Sequence, residues 1–339
     1  MPNGQVATET WKRMVLRATP PAWLSKDAPQ GDVVLSSRSR LMRNLRGYRF
    51  PHRAEPDELR QVLAKVSSAL GPDAGFELLK DLTRSERDYL IGSRLCSPEF
   101  LWDLPGRALL VDRERTTSIM VNEEDHIRLQ ALTAGWSAAT ADKLAEHALA
   151  SLDRQMDFAH SPKFGYLAAS PYNAGQGRRL SAMFHLVGLA HAKRLPSVLK
   201  ALSAGYLAAR GLFGESSRAV GAFIQISITN GSRSEFVGAC EYLIKEEREA
   251  RRLVGTTVLT IKAKQAMEFV ESSRAISLAD ALRVLGYARW ASTASIKGME
   301  RSPRDVDLWL TTLELQGFSD DQSAMRQRAD FLRERLSSH

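Results

Sequence analysis

Apolar and polar positions divide the chain into stretches with different periods. From Gly31 a loop leads into the short apolar strand Val33-Val34-Leu35, and the basic run Ser36-Ser37-Arg38-Ser39-Arg40 is expected to close that strand beside a cleft. Helical spacing over Glu58 to Leu70, just after Pro56, predicts one helix, and Ser85 to Leu95 a second. The period then shortens. Ala108 to Val111, Thr117 to Val121 and Ile127 to Leu132 alternate or run apolar over strand lengths, which predicts an antiparallel meander. The acidic cluster Asn122-Glu123-Glu124-Asp125 falls between its last two strands.

From Thr140 the helical period returns, with Leu144, Ala148, Leu152 and Met156 on one face. Tyr166 to Ala169 and Ala222 to Ile228 are further strand candidates, separated by a mixed segment. Ser234 is expected to cap a long helix reaching about Leu253, with Phe236, Cys240, Leu243 and Ile244 inward. Beyond Thr256 the chain reads as helix over Ile261 to Val270, Leu278 to Trp290 and Ser323 to Leu336. Grouped strands, with helices that do not strictly alternate, predict an α+β fold in which helices flank an antiparallel sheet and an all-helical region follows.

Composition limits the classes available. A chain of 339 residues suggests two parts, and 44% hydrophobic with 25% charged residues matches an ordinary globular protein. Cys96 and Cys240 form no C-x-x-C pair, which excludes a zinc ribbon, argues against a disulfide framework and fits a reducing cytosol. No apolar signal region follows Met1, and charges such as Lys200 and Arg210 interrupt the apolar stretches, so a cytoplasmic protein with no membrane span is expected. The net charge of +8 calls for an anionic partner or a basic solvated surface. No zinc, homeodomain or RNP-type signature supports nucleic acid as that partner.

Three segments could carry chemistry. Val121 to Arg128 sets three consecutive carboxylates at a strand end, followed by an arginine; such acids repel one another unless cations or substrate offset them. Alone, this is more often a solvated turn. In Ser170-Pro171-Tyr172-Asn173-Ala174-Gly175-Gln176-Gly177-Arg178-Arg179, two glycines let the backbone approach a ligand before a basic pair, but no Walker A or dinucleotide pattern is present. Arg210-Gly211-Leu212-Phe213-Gly214-Glu215 again joins an arginine to a glycine loop and a carboxylate. His185 and His191 lack companions at metal-ligand spacing and read as core or nucleotide-proximal residues.

Together with Ser36 to Arg40, these segments resemble, in order and spacing, the four signature regions of the phosphagen, or ATP:guanido, kinases, over about Pro21 to Gly255. Within that family the similarity is greatest to bacterial protein arginine kinases, through Ala22-Trp23-Leu24-Ser25-Lys26, Arg43-Asn44-Leu45, Ser118-Ile119-Met120 and Gly211 to Glu215. The resemblance implies that Arg38, Arg40, Arg128, Arg179 and Arg210 hold the phosphates of ATP, the last three counting among the catalytic residues. Ser36, Ser37, Ser39, Leu180, Ser181, Ala182, Met183, Gly211, Leu212, Phe213 and Gly214 then belong to the ATP-binding segments. It makes Glu124 the catalytic carboxylate and Glu215 the second carboxylate on the guanidinium. Glu123 would influence ATP-bound Mg2+ through water, with no direct protein ligand to metal. Arg94 stands at a family histidine position near the nucleotide. Ser170 stands at the family cysteine beside the guanidinium, where a hydroxyl cannot carry a thiolate's charge, so lower turnover or altered preference is expected.

The resemblance further implies an N-terminal segment over 1–30, a catalytic domain over 31–255, and a helical dimerisation and phosphoarginine-recognition-like domain over 256–339. Only a short segment precedes Ser36, which favours arginine on a protein surface as acceptor. The family's Arg-Asp-x-x-Arg-Ala motif corresponds to Ala324-Met325-Arg326-Gln327-Arg328-Ala329, without the leading pair. A homodimer, a zinc-containing activator and Clp-type protease machinery are the partners implied. Two other readings stay open: a pseudokinase or phosphoarginine-binding scaffold, motivated by Ser170, Arg94 and Ala324-Met325, and a kinase of a small guanidino compound.

Overall fold

The computed structural model describes residues 20–24, 28–71, 74–79, 81–100, 103–202, 207–211, 219–297, 299, 301–313 and 321–336. Its centre is β1 (Val34–Arg43), which does not end at the basic run but continues through it. The reason is local: Ser37, Ser39 and Leu41 alternate with Arg38, Arg40 and Met42, so the two-residue period of a strand persists although neither set is wholly apolar. The meander follows as expected, with β3 (Ala108–Asp112), β4 (Thr117–Val121) and β5 (Ile127–Ala134), and β2 (Phe76–Leu79) is added at its edge.

Two strands come from segments that the apolar pattern leaves unassigned, β8 (Arg178–His185) and β9 (Leu207–Gly211); β10 (Phe223–Thr229) matches its candidate. Of Tyr166 to Ala169, only Tyr166 is strand, in a two-residue hairpin of β6 (His160–Ser161) and β7 (Gly165–Tyr166). The large sheet has eight strands in the order β2-β3-β4-β5-β1-β8-β10-β9. The pairings between its neighbouring strands are antiparallel.

One sheet face is covered by α1 (Pro56–Leu70), α3 (Ala138–Asp153) and α6 (Arg233–Val254). Leu41, Leu129 and Ala131 meet Val62, Val66, Ala145 and Leu152 there, while Leu180, Phe184, Ile226 and Ile228 meet Phe236, Cys240 and Leu243. The stripe on α3 is Ala141, Ala145, Ala148 and Leu152; Leu144, expected inward, is exposed. The cap of α6 is Ser232, whose side chain accepts from the Glu235 amide, and not Ser234.

The opposite face is walled at both ends and open between. At one end Leu109, Val111 and Met120 pack beneath Tyr89, Leu90 and Leu95, on and just after α2 (Arg84–Gly92). At the other, Leu35, Met183 and Phe223 pack against helices near the C-terminus: α7 (Thr256–Ser272), α8 (Leu278–Thr293), α9 (Pro303–Leu313) and α10 (Gln322–Leu336). Between α6 and α7 in order come no strands; the short α4 (Val187–His191) and α5 (Leu195–Leu202) lie earlier, between β8 and β9. Helix α9 also packs on α2 and on the 3-10 turn Ala22–Leu24, so it spans from one wall to the other.

Buried charges fix these layers. Arg289 of α8, fully buried, donates to Asp307 of α9 at 2.7 Å and to the carbonyls of Gly31 and Asp32 at 2.7 and 3.2 Å, just ahead of β1. Behind β1, the fully buried Asp142 of α3 accepts from Ser39 Oγ at 2.8 Å, from Arg178 at 3.2 Å and from Arg233. Without Asp142, the buried Ser39 hydroxyl would lose its acceptor, whereas Arg178 and Arg233 are partly exposed and can be rehydrated. Asp142→Ala is therefore expected to lower unfolding stability by about 1–3 kcal/mol, measured as the urea midpoint. An unchanged midpoint would mean that Asp142 does not hold α3 to β1.

Candidate active site

The register of β1 builds the site. Arg40 sits directly opposite Gln130 of β5 and Arg179 of β8, Arg38 opposite Ser181, and Met42 opposite Arg128. On β10, Gln225 lies opposite both Met183 of β8 and Arg210 of β9. Directly opposed residues share a sheet face, and so do positions two apart along one strand. Arg38, Arg40, Arg128, Arg179 and Arg210 thus all project from the face left open between the two walls.

Burial and the neighbouring guanidinium charges depress two of them, Arg38 and Arg40. Burial first, and then the charges of Arg128, Arg179 and Arg94, push Arg38 down to about 9. Arg40 is pushed well below its ordinary value by burial and by Arg38, Arg128, Arg179 and Arg210. Buried guanidinium groups are usually paired with carboxylates, but the acceptors of Arg38 among the described residues are neutral. Arg38 donates to Gln225 Oε1 at 2.7 Å and to Ser181 Oγ at 3.4 Å, and Arg179 donates to Ser227 Oγ at 2.8 Å. Arg40 Nε is buried without an acceptor among the described residues. Positive charge held this way suits a polyanion, such as the phosphates of a nucleotide.

The acidic segment forms the tight turn between β4 and β5, and its carboxylates have separate environments. Asn122, at a φ of 56°, reverses the chain, and its amide donates to the His126 carbonyl at 3.0 Å. Asn44 clamps the turn by accepting from the His126 amide at 2.9 Å and donating to Asp125 at 2.7 Å. Asp125 is buried and also accepts from the Ala169 amide at 2.7 Å; burial raises it despite these bonds. Glu123 pairs with Arg128 at 2.8 and 2.9 Å and accepts from Ser97 at 2.9 Å. Burial acts to raise Glu123, but Arg128 and the bonds from the Glu124 amide and Ser97 together outweigh it, so its carboxyl lies below the ordinary value.

Glu124 alone faces outward. Partial desolvation raises its carboxyl, the charges of Asp125 and Glu123 raise it further, and Asn173 donates to it at 3.3 Å. The bonds from Ala169 and Asn173 hold Ser170, which is half-buried, beside the acids. This is a rigid turn with one exposed carboxylate, rather than three solvated acids.

Next to the arginines is a cavity whose lining includes Trp23, Leu35, Leu132, Met183 and Leu310, with Arg38 and Arg94 also on its wall. An apolar cavity bordered by arginines fits the base of a nucleotide whose phosphates lie over the arginine face. Sequence reasoning found Ser36, Arg38, Arg94, Ser181, Ala182 and Met183 of this lining but missed Trp23, Leu132, Gln225, Leu310 and Thr311. Only Gln225 carried a signal, the one amide in the largely apolar strand Phe223 to Ile228.

Some anticipated site residues turn their side chains elsewhere. Ser37 donates to the Gly135 carbonyl at 2.8 Å and Ser39 to Asp142, both behind the sheet, and Leu180 is in the core there. Gly211 ends β9, and Leu212, Phe213, Gly214 and Glu215 lie outside the described residues. His185 is a core residue, fully buried and stacked on Phe223 at 5.0 Å, and burial keeps it neutral. His191 pairs with Tyr287 Oη at 2.9 Å. Among the described residues no group of three or more His, Cys, Asp or Glu is placed to hold a metal ion.

Known proteins resemble this chain in sequence and in fold. Residues 59–246 match the family model for the ATP:guanido phosphotransferase C-terminal catalytic domain. A protein-arginine kinase of Pelotomaculum thermopropionicum is 33% identical over 285 residues, covering 79% of this chain and 80% of its own. One of Moorella thermoacetica is 34% identical over 298 residues, covering 82% and 85%. The crystal structure of a lombricine kinase superposes with a TM-score of 0.58 over 71% of this chain and 77% of its own, at 23% identity, a likeness of fold. Matched by the family model over more than half its length and by these relatives over about four fifths, the chain belongs to the ATP:guanido phosphotransferase family.

Proposed function

We propose that the protein is a protein-arginine kinase, transferring the γ-phosphoryl group of ATP to arginine side chains of other proteins. The observation that carries this reading is the pairing of an arginine-lined sheet face with one exposed carboxylate, Glu124, on a rigid turn beside it. Arginine forks match the equatorial oxygens of a phosphoryl group in a loose transition state, where positioning and charge stabilisation supply most of the catalysis. When bound with ATP, Mg2+ would neutralise charge on the phosphates; Glu123, tied to Arg128, is suited to act on it only through water.

The acceptor needs a base. A guanidinium with a pKa of about 12.5 stands ~5.5 units above pH 7, so exposing a neutral nitrogen costs roughly 7.5 kcal/mol. A carboxylate does not lower that cost in the ground state, because it favours the cation. Glu124 orients the planar group and takes its proton as the N–P bond forms and the bond from Pγ to the bridging oxygen breaks, releasing ADP. By resemblance Glu215 grips the same guanidinium from a second side. Exposure of Glu124 and of its neighbour Tyr172 suits an arginine presented on a protein surface.

The resemblance extends the reading to a homodimer, a zinc-containing activator and Clp-type proteolysis, with 256–339 as the recognition region. Cys240, a buried free cysteine, favours a reducing, cytoplasmic setting, and no helix among the described residues is long and apolar enough to cross a membrane.

Two experiments test this reading. With γ-labelled ATP and an arginine-rich protein, acid-labile, alkali-tolerant label should appear on arginine, and Glu124→Gln should lower kcat by about 10²–10⁴-fold. Because Glu124 acts ionised and its pKa in the free protein is raised, wild-type kcat/KM should fall on the acid side with a midpoint above that of an ordinary glutamate. Label retained in the variant, or bound phosphoarginine without any transfer by wild type, would refute the assignment.

The second concerns the neutral acceptors. Gln225→Glu sets a carboxylate against Arg38 and cancels one charge of the cluster. It should raise the apparent Tm without nucleotide yet raise the KM for ATP by about 10–100-fold, the value of one charge-assisted hydrogen bond. Equal KM values would mean that Arg38 does not meet the phosphates.

A further inference from the structure

Helix α9 lies outside the segments that carry the four signature regions, yet it forms part of the cavity next to the arginines. Leu310 and Thr311 line that cavity, opposite the sheet residues Leu35, Leu132 and Met183. Both are buried, Leu310 at 4% and Thr311 at 6% exposure, so they face the interior and not solvent. We propose that α9 is a wall of the nucleobase pocket, so that the sheet binds a purine nucleoside triphosphate at full affinity only with the C-terminal helices docked. The proposal rests on the reading of the arginine face as an ATP site.

The division of chemistry across the cavity supports a base at this end. Leu35, Leu132, Leu310 and the Trp23 indole supply flat apolar surface, and the cations Arg38 and Arg94 sit where a phosphate chain would begin. The faces of an aromatic base bury well against such surface, while its polar edge needs a few placed partners. Thr311 adds one polar group. Its Oγ1 donates to the Leu308 carbonyl at 2.7 Å, which uses its hydrogen and leaves it able to accept from an exocyclic amine of the base.

Asp307 also lines the cavity but has a different task. Its carboxylate accepts from Arg289 at 2.7 Å and from Arg304 at 3.0 Å. It is a positioning residue that fixes α9. Through Arg289 the same network grips the carbonyls of Gly31 and Asp32, immediately before the strand that carries Arg38 and Arg40. Leu308 packs α9 against the Trp23 and Leu132 cluster. Base wall and phosphate arginines are therefore held in one frame, and binding at either must be linked to docking of the helices.

The test compares two ligands on the full chain by calorimetry: ATP, which has a base, and inorganic triphosphate, which does not. Leu310→Ala should weaken ATP binding about fivefold or more, from the loss of buried apolar contact, and Thr311→Val about threefold or more, from the lost acceptor. Triphosphate binding should stay within twofold of wild type in both, which also reports that the sheet has folded. In hydrogen exchange, ATP but not triphosphate should increase protection across residues 303–313. ATP binding within twofold of wild type in both variants, or equal protection by the two ligands, would overturn the role of α9 while leaving the ATP reading intact. Wild-type protein that binds neither ligand would overturn both.

Discussion

Repulsion among guanidinium groups on one sheet face is the constraint around which the site is arranged. Antiparallel pairing of β1 with β5 and β8 sets Arg40 against Arg179 and one step from Arg128, with no carboxylate bonded to Arg38 or Arg40 among the described residues. The stability lost to crowding like charges is offset elsewhere, by the apolar core behind the sheet and by bonds such as those that the buried Asp142 accepts from Ser39, Arg178 and Arg233. A sheet is suited to this task because its ladder fixes side-chain positions that the side chains themselves would not choose. Neutral Gln225, Ser181 and Ser227 complete the arrangement by orienting arginines without cancelling their charge.

The acidic turn solves the opposite problem. Three adjacent carboxylates would repel one another and shift together, but each has a different partner. Glu123 is spent on Arg128, Asp125 ties the turn to Asn44 and to the chain before Ser170, and only Glu124 remains outward. What looks like redundancy in sequence is a division of work. Two acids build the support that holds the third at a fixed place beside the arginines, and their charges raise its carboxyl toward the range useful for accepting a proton.

Much of this was legible in the chain, and what was not has physical causes. Strands β3 to β5 and the long helices announced themselves by period, and the order of the basic, acidic and glycine segments named the family. Strand β8 was hidden because its Arg179, Ser181 and Met183 make the site while Leu180, Ala182 and Phe184 make the core, an alternation obscured by the Arg178-Arg179 pair at its start. The same cause hid the second half of β1. Strands that line a charged site break the usual apolar rule on the very face that matters, so function and legibility compete. Ser37 and Ser39 were assigned to the nucleotide from their motif, but the two-residue period sends them behind the sheet.

The apolar cavity was illegible for another reason. Its walls come from Trp23, Leu35, Leu132, Met183 and Leu310, brought together from across the chain by sheet order and by one buried arginine, Arg289. No local pattern marks such residues, since each is an ordinary apolar position in its own element. This also bears on where the molecule divides. A boundary near residue 255 suits the sequence, yet α9 lies across the sheet's open face, and Arg289 joins the helices to the start of β1. Phosphate-binding arginines held by the sheet, an apolar wall held by the helices and an ion network joining the two make the cleft a shared property of both parts, so a ligand that fills it must favour their docked arrangement.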